Sequence, residues 1–106
     1  KSLVAPAAFT STSTQTSVDF GAAGTNGGGA VLHVTAASGT SPTLDAKIQT
    51  SSDNSSFSDY ITFTQATGMT SELKTSASAP ARYARAVLTI GGSTPSFTVA
   101  IGFAQG

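Results

Sequence analysis

Apolar and polar residues alternate along this chain in short runs, and almost nowhere do apolar residues recur every three or four positions. The clearest run is 43–50, where Leu44, Ala46 and Ile48 fall on one face of an extended chain and Asp45, Lys47 and Gln49 on the other. The run 96–103 alternates as strictly, with Phe97, Val99, Ile101 and Phe103 against Thr98, Ala100 and Gly102. In 30–37, Leu32 and Val34 oppose Val31, His33 and Thr35, and in 60–64 Ile61 and Phe63 share a face. Shorter or weaker runs lie at 17–20 and 72–75, and a long one spans 81–90. Gly and Pro punctuate the intervals, and Ser, Thr, Val, Ile and Phe are poor helix formers, so helix is not expected. The pattern predicts an all-β chain: an antiparallel two-sheet β-sandwich, jelly-roll-like, of about 7–8 strands.

An internal repeat runs through the same pattern. Gly39-Thr-Ser-Pro42-Thr-Leu44-Asp-Ala46-Lys-Ile48 aligns without a gap to Gly92-Ser-Thr-Pro95-Ser-Phe97-Thr-Val99-Ala-Ile101. A related apolar strand precedes each copy, Val31-Leu-His-Val34 and Val87-Leu-Thr-Ile90. Each copy reads as a hairpin, in which Gly frees φ, Pro fixes the exit and an alternating strand returns. Two equivalent hairpins fit a double Greek key, the jelly roll.

Two segments stand apart. Residues 10–17, TSTSTQTS, form a polar strip with no period beyond two, either an extended arm or a solvated edge strand. The division expected is an extended N-terminal arm over 1–17 and a single β-sandwich domain over 18–106. The arm would order by pairing with a neighbouring subunit or shell, with Val4 and Phe9 as its apolar anchors. The Gly-rich stretch 21–29 is a loop. Its GTNGGG is not a phosphate-binding loop, because no Lys-Ser/Thr follows and the next element is a strand.

Composition narrows the chemistry. Ser and Thr supply 33 of 106 residues while charged residues make up only 9%, so hydroxyls must cover most of the surface. The net charge is zero, which gives no electrostatic case for nucleic acid or an anionic membrane as partner. No run approaches the length of a membrane-spanning segment. Cysteine is absent, which removes disulfides, thiolate metal sites and thiol nucleophiles.

His33 is the only histidine, and a metal site needs three or four converging ligands. Ser beside His carries no information among so many hydroxyls, and no Gly-x-Ser-x-Gly elbow is present. The Ser51–Asp59 segment has the offset of an Asp-box hairpin, but the aromatic is one residue early and the glycine after Asp is missing. A turn with Asp53-Asn54 at its tip explains it better. Calcium on Asp53, Asn54 and Asp59 would lack regular ligand spacing. No catalytic residue, cofactor or metal is therefore assigned.

The outward face of 81–90 is the most informative. With Ala84, Ala86, Leu88 and Ile90 on the core side, Tyr83, Arg85, Val87 and Thr89 point out, and Val31 and His33 point out by the same logic. Tyr and Arg anchor interfaces, and Val offers nothing to water. Arg85 would pair with a neighbouring subunit's carboxylate, Asp59 or Glu72. The candidate interface is Val4, Phe9, Val31, His33, Tyr83, Arg85 and Val87.

The succession SGTSPTLDAKIQ (38–49), SSDNSSFSD (51–59), ARYARAVLT (81–89) and STPSFTV (93–99) resembles small β-sandwich virion proteins of tailed bacteriophages, of the capsid decoration or cement type. Their pattern is T-x-P-T-L-D-V-K-I-Q, a "sxDgssw" turn and an "RyvR" strand. The likeness spans roughly residues 31–103; Asp53-Asn54 stands where the pattern has Asp-Gly, and Phe57 where it has Trp.

The resemblance implies a non-enzymatic structural protein on the phage head surface. Its partner would be the major capsid protein, and it would form a homotrimer matching the lattice symmetry. The alternative is a carbohydrate-binding or adhesion β-sandwich module of a phage tail, a fibre or a secreted protein. Two Tyr and no Trp weaken that reading.

Overall fold

The alternating runs become strands in the computed structural model, which describes residues 2–24 and 27–105. The elements are β1 (Ser2–Phe9), β2 (Ser13–Thr14), β3 (Val18–Asp19), β4 (Gly28–Ser51), β5 (Ser58–Thr62), β6 (Thr70–Ser76) and β7 (Tyr83–Gln105). All pairings are antiparallel, and there is no helix among the described residues. The predicted faces hold: Leu32, Val34, Leu44, Ala46, Ile48, Ala84, Ala86, Leu88, Phe97, Val99, Ile101 and Phe103 are all buried in one core.

The connectivity differs from the expected pair of hairpins. Runs 30–37 and 43–50 are one strand, β4, and runs 81–90 and 96–103 are one strand, β7. These two long strands pair with each other from Gly28↔Gln105 to Ser51↔Tyr83. The two copies of the repeat thus face one another across a single ladder. Gly39 and Gly92 both have φ of 110°, and Ser41 and Thr94, two residues on, have φ of 48° and 46°. Positive φ at Gly, then at a hydroxyl residue, bends each strand without ending it. The register shifts between Val34 and Thr43 absorb the bends. The Gly and Pro of the repeat are therefore bends, opposite each other, rather than the turns of separate hairpins.

Two outer lanes complete the sheet. Residues 58–76 run along β4: β5 pairs with Lys47–Thr50, Ala66 bridges Leu44, and β6 pairs with Gly28–Val34. Residues 2–19 run along β7: β1 pairs with 97–102, β2 with Val87 and Leu88, and β3 with Tyr83 and Ala84.

The result is one antiparallel sheet curled into a half-barrel rather than two separate sheets. The degree of curl follows from Phe103. Along a straight strand it would lie about 65 Å from Tyr83, at about 3.3 Å per residue. Yet its ring centroid is 5.5 Å from that of Phe20, just past β3, and 5.8 Å from that of Tyr60 in β5. The first half of β4 with the second half of β7 forms one arm, and their other halves form the second. The arms close over a common core.

The N-terminal segment is also placed differently from the expected arm. Leu3 and Val4 are buried in this chain's own core, Val4 with 3% exposure, and Phe9 packs against it half-buried. The outer edge of β7 offers a row of main-chain donors and acceptors within the same chain, and this segment takes them. Pro6 lies where the β1 register breaks between Val4 and Ala7, as suits a residue without an N–H.

Candidate interaction surface

The outward side of the second arm carries the polar chemistry. Because β7 alternates, burying Ala84, Ala86 and Leu88 turns Tyr83, Arg85 and Val87 outward, each half-buried by its neighbours. The ladder sets Arg85 beside Gln49 and Val87 beside Lys47, and β5 sets Asp59 on the other side of Gln49. Arg85 Nε donates to Gln49 Oε1 at 2.9 Å, and Gln49 Nε2 donates to Asp59 Oδ1 at 2.9 Å. Lys47 Nζ lies 3.2 Å from the same Asp59 oxygen. The Arg85 guanidinium sits 4.0 Å above the Phe57 ring centroid. The hydrogen bond from Gln49, with a further contribution from Lys47, holds the Asp59 carboxyl below the usual carboxylate range. Beside this chain, Arg82 grips Asp19 with two hydrogen bonds, 2.7 Å from Nε and 2.9 Å from Nη2, and lies 5.2 Å from the Tyr83 ring centroid.

These contacts revise the expected role of Arg85. Its side chain is held by Gln49 and Phe57 of its own chain. Both carboxylates considered as a neighbour's counter-charge are engaged within the chain. Asp59 is taken by Gln49 and Lys47, and Glu72 accepts from Thr64 N at 2.7 Å and Thr64 Oγ1 at 2.8 Å. Gln49 and Phe57 are the residues that sequence reasoning missed. Their link to Arg85 depends on the register of β4 against β7, which the hairpin reading concealed.

The seven expected interface residues do not form one surface. Val4 is core and Phe9 packs on it. Val31 and His33 lie on the outward face of the first arm, where Val31 is flanked by Gly102 and Leu73. His33 is exposed there, its Nδ1 3.2 Å from Ser71 Oγ. Only Tyr83, Arg85 and Val87 stand together, on the second arm.

The Ser51–Phe57 turn is held by Asp53. Its Oδ1 accepts from Ser51 Oγ at 2.7 Å, Ser55 N at 2.9 Å and Ser56 N at 3.0 Å. Asn54 takes φ of 61° at the tip, and its Oδ1 accepts from Ser17 Oγ at 2.6 Å. The Asp53 carboxylate is used by the turn and that of Asp59 by Gln49 and Lys47.

The Ser51 hydroxyl first, and the Ser56 and Ser55 amides after it, lower the Asp53 pKa from 3.8 to about 2. A depressed carboxylate stabilises the fold above its unfolded pKa, and that contribution disappears as pH falls through the folded one. Stability should therefore fall between about pH 4 and pH 2. Asp53→Asn should flatten that part of the profile, measured by urea unfolding at stepped pH. An unchanged slope would show that the turn does not carry the linkage.

The chain matches no protein-family model, and no curated protein matches it.

Proposed function

We propose that this protein is a non-enzymatic structural virion protein, a decoration or cement protein that binds and stabilises an assembled phage head. Its partner is the major capsid protein, and it sits on the head surface as a homotrimer at three-fold positions. In this reading the curled sheet, with its two arms over one core, is a variant of the jelly-roll-like sandwich of such proteins. The sequence resemblance over roughly residues 31–103 is the source of the placement.

The observation that favours a docking role is the Tyr83–Arg85–Val87 row. It joins area, a charge and an apolar side chain on a chain whose surface is otherwise mostly hydroxyl. Gln49 and Phe57 already hold Arg85 in place, so docking costs little side-chain entropy. The sugar-binding alternative needs aromatic faces free to stack. Arg85 covers Phe57 and Arg82 lies near the Tyr83 ring, which counts against it.

Tyr83→Ala and Arg85→Ala should each weaken capsid association by about 1–3 kcal/mol while leaving thermal melting nearly unchanged. Quantitative binding to undecorated capsids, measured beside melting curves, decides. Unchanged capsid affinity in both variants would remove this face from the interface. Binding to glycan arrays without capsid affinity would favour the sugar-binding reading.

A further inference from the structure

The sheet has several outer edges, and most are blunted. β1 carries Pro6 and two register breaks, β2 and β3 are two residues each, and β5 is five residues opposite a bulge. β6 is different. It is seven residues long, free of Gly and Pro, and pairs with β4 without a register break. Its only ladder partner among the described residues is β4, and on its other side the described contact is Glu72 reaching to Thr64 rather than a second ladder of backbone bonds. The two large apolar residues that are most exposed both belong to this edge: Leu73 at 69%, and Met69 just before it at 74%.

The sequence of β6 is self-complementary when read antiparallel to itself. In Thr70-Ser-Glu72-Leu73-Lys74-Thr-Ser76, a two-fold axis at Leu73 sets Leu73 against Leu73 and Glu72 against Lys74 on both sides. Hydroxyl residues then face hydroxyl residues at each end. Thr64 holds the Glu72 carboxylate within its own chain by neutral donors, so its negative charge is kept and faces Lys74 of the second copy; opposite charges directly across a ladder attract, and like charges repel. A slip of two residues one way sets Glu72 against Glu72, and the other way Lys74 against Lys74. A slip of one residue would turn each side chain to the wrong face. The pattern therefore admits one register and disfavours its neighbours. On the outward face, Leu73 would meet its copy between the two Val31 side chains, a continuous apolar row across the joint.

We propose that β6 is a self-association edge, which pairs antiparallel with β6 of a second copy of this chain about a two-fold axis at Leu73. The pairing extends the first arm's sheet from one molecule into the next. It does not depend on the capsid-binding reading or on any three-fold contact, and it is tested in solution.

The chain has no cysteine, so a single introduced thiol reports the register cleanly. Directly opposed residues in an antiparallel pair have Cα atoms about 4.5–5.5 Å apart, within the Cα separation that a disulfide spans. Leu73→Cys should cross-link to a covalent dimer under mild oxidation, read by mass and by non-reducing electrophoresis. Thr75→Cys should not, because the two copies of residue 75 lie about four residues apart along the pair, roughly 13 Å. Both positions are exposed, so the fold should survive either change. Adding Lys74→Glu to Leu73→Cys sets acidic side chains against each other twice and should slow cross-linking at least ten-fold at low salt. The proposal is overturned if Leu73→Cys remains monomeric, if Thr75→Cys cross-links as fast, or if Lys74→Glu has no effect.

Discussion

Replacing Phe103 by alanine should lower the free energy of unfolding by about 3–5 kcal/mol. The ring is buried and touches both arms: its own strand belongs to the first, while Phe20 and Tyr60 meet it edge-on from the second. Truncation removes the transfer free energy of the ring and leaves a cavity where the arms close. The neighbouring strands cannot collapse into it without moving the ladder. Against a total of about 5–15 kcal/mol for a domain of this kind, the variant would be marginal at best. Phe57→Ala is the contrasting case: Phe57 lies outside the core, under Arg85, and its loss should cost far less. Urea unfolding of both variants provides the comparison. A loss below about 1 kcal/mol for Phe103→Ala would mean that the ring does not join the arms.

The faces of the strands were legible in the sequence because a half-buried strand must alternate, and hydroxyl residues mark the wet side clearly in a chain with few charges. The side chains of Leu44, Ile48, Phe97 and Ile101 all lie where the alternation places them. Pairing was not legible. Alternation says which way a residue points, not which strand lies beside it. The Gly-Thr-Ser-Pro42 and Gly-Ser-Thr-Pro95 segments carry the same residues that close hairpins, and only the backbone shows them to be bends. The neighbours of Arg85 were illegible for the same reason, because Gln49 lies beside it only when β4 pairs with β7. The N-terminal strip was misplaced for a related reason. Its polar alternation suits any open edge, and the nearest one belongs to its own chain. The curl of the sheet was out of reach, since it rests on contacts between residues as far apart as Phe20 and Phe103.

Alanine at either bend glycine should cost nearly as much. An alanine Cβ at Gly39 would lie 2.7 Å from Thr94 O and 2.9 Å from both Pro95 Cα and Ser93 O. At Gly92 it would lie 2.7 Å from Ser41 O, 2.9 Å from Pro42 Cα and 3.0 Å from Thr40 O. The two lists match under exchange of the repeat copies, so the crossing has local two-fold symmetry. All the opposing atoms are backbone and cannot rotate away. A φ of 110° adds strain for any residue with a Cβ, of order 1–3 kcal/mol before the collision is counted. Gly39→Ala and Gly92→Ala should therefore each cost about 3 kcal/mol or more. Gly68→Ala, with open space around its Cβ, should stay within about 0.5 kcal/mol as a control.

The two costs should also not add. Each substitution forces apart the same pair of strands at the same crossing, so the second enters a joint already opened by the first. The double variant should fall short of the sum by about 0.5–3 kcal/mol, read from a double-mutant cycle in urea. Full additivity would mean that the two bends act separately, and a small single effect would mean that the strands do not need glycine to cross.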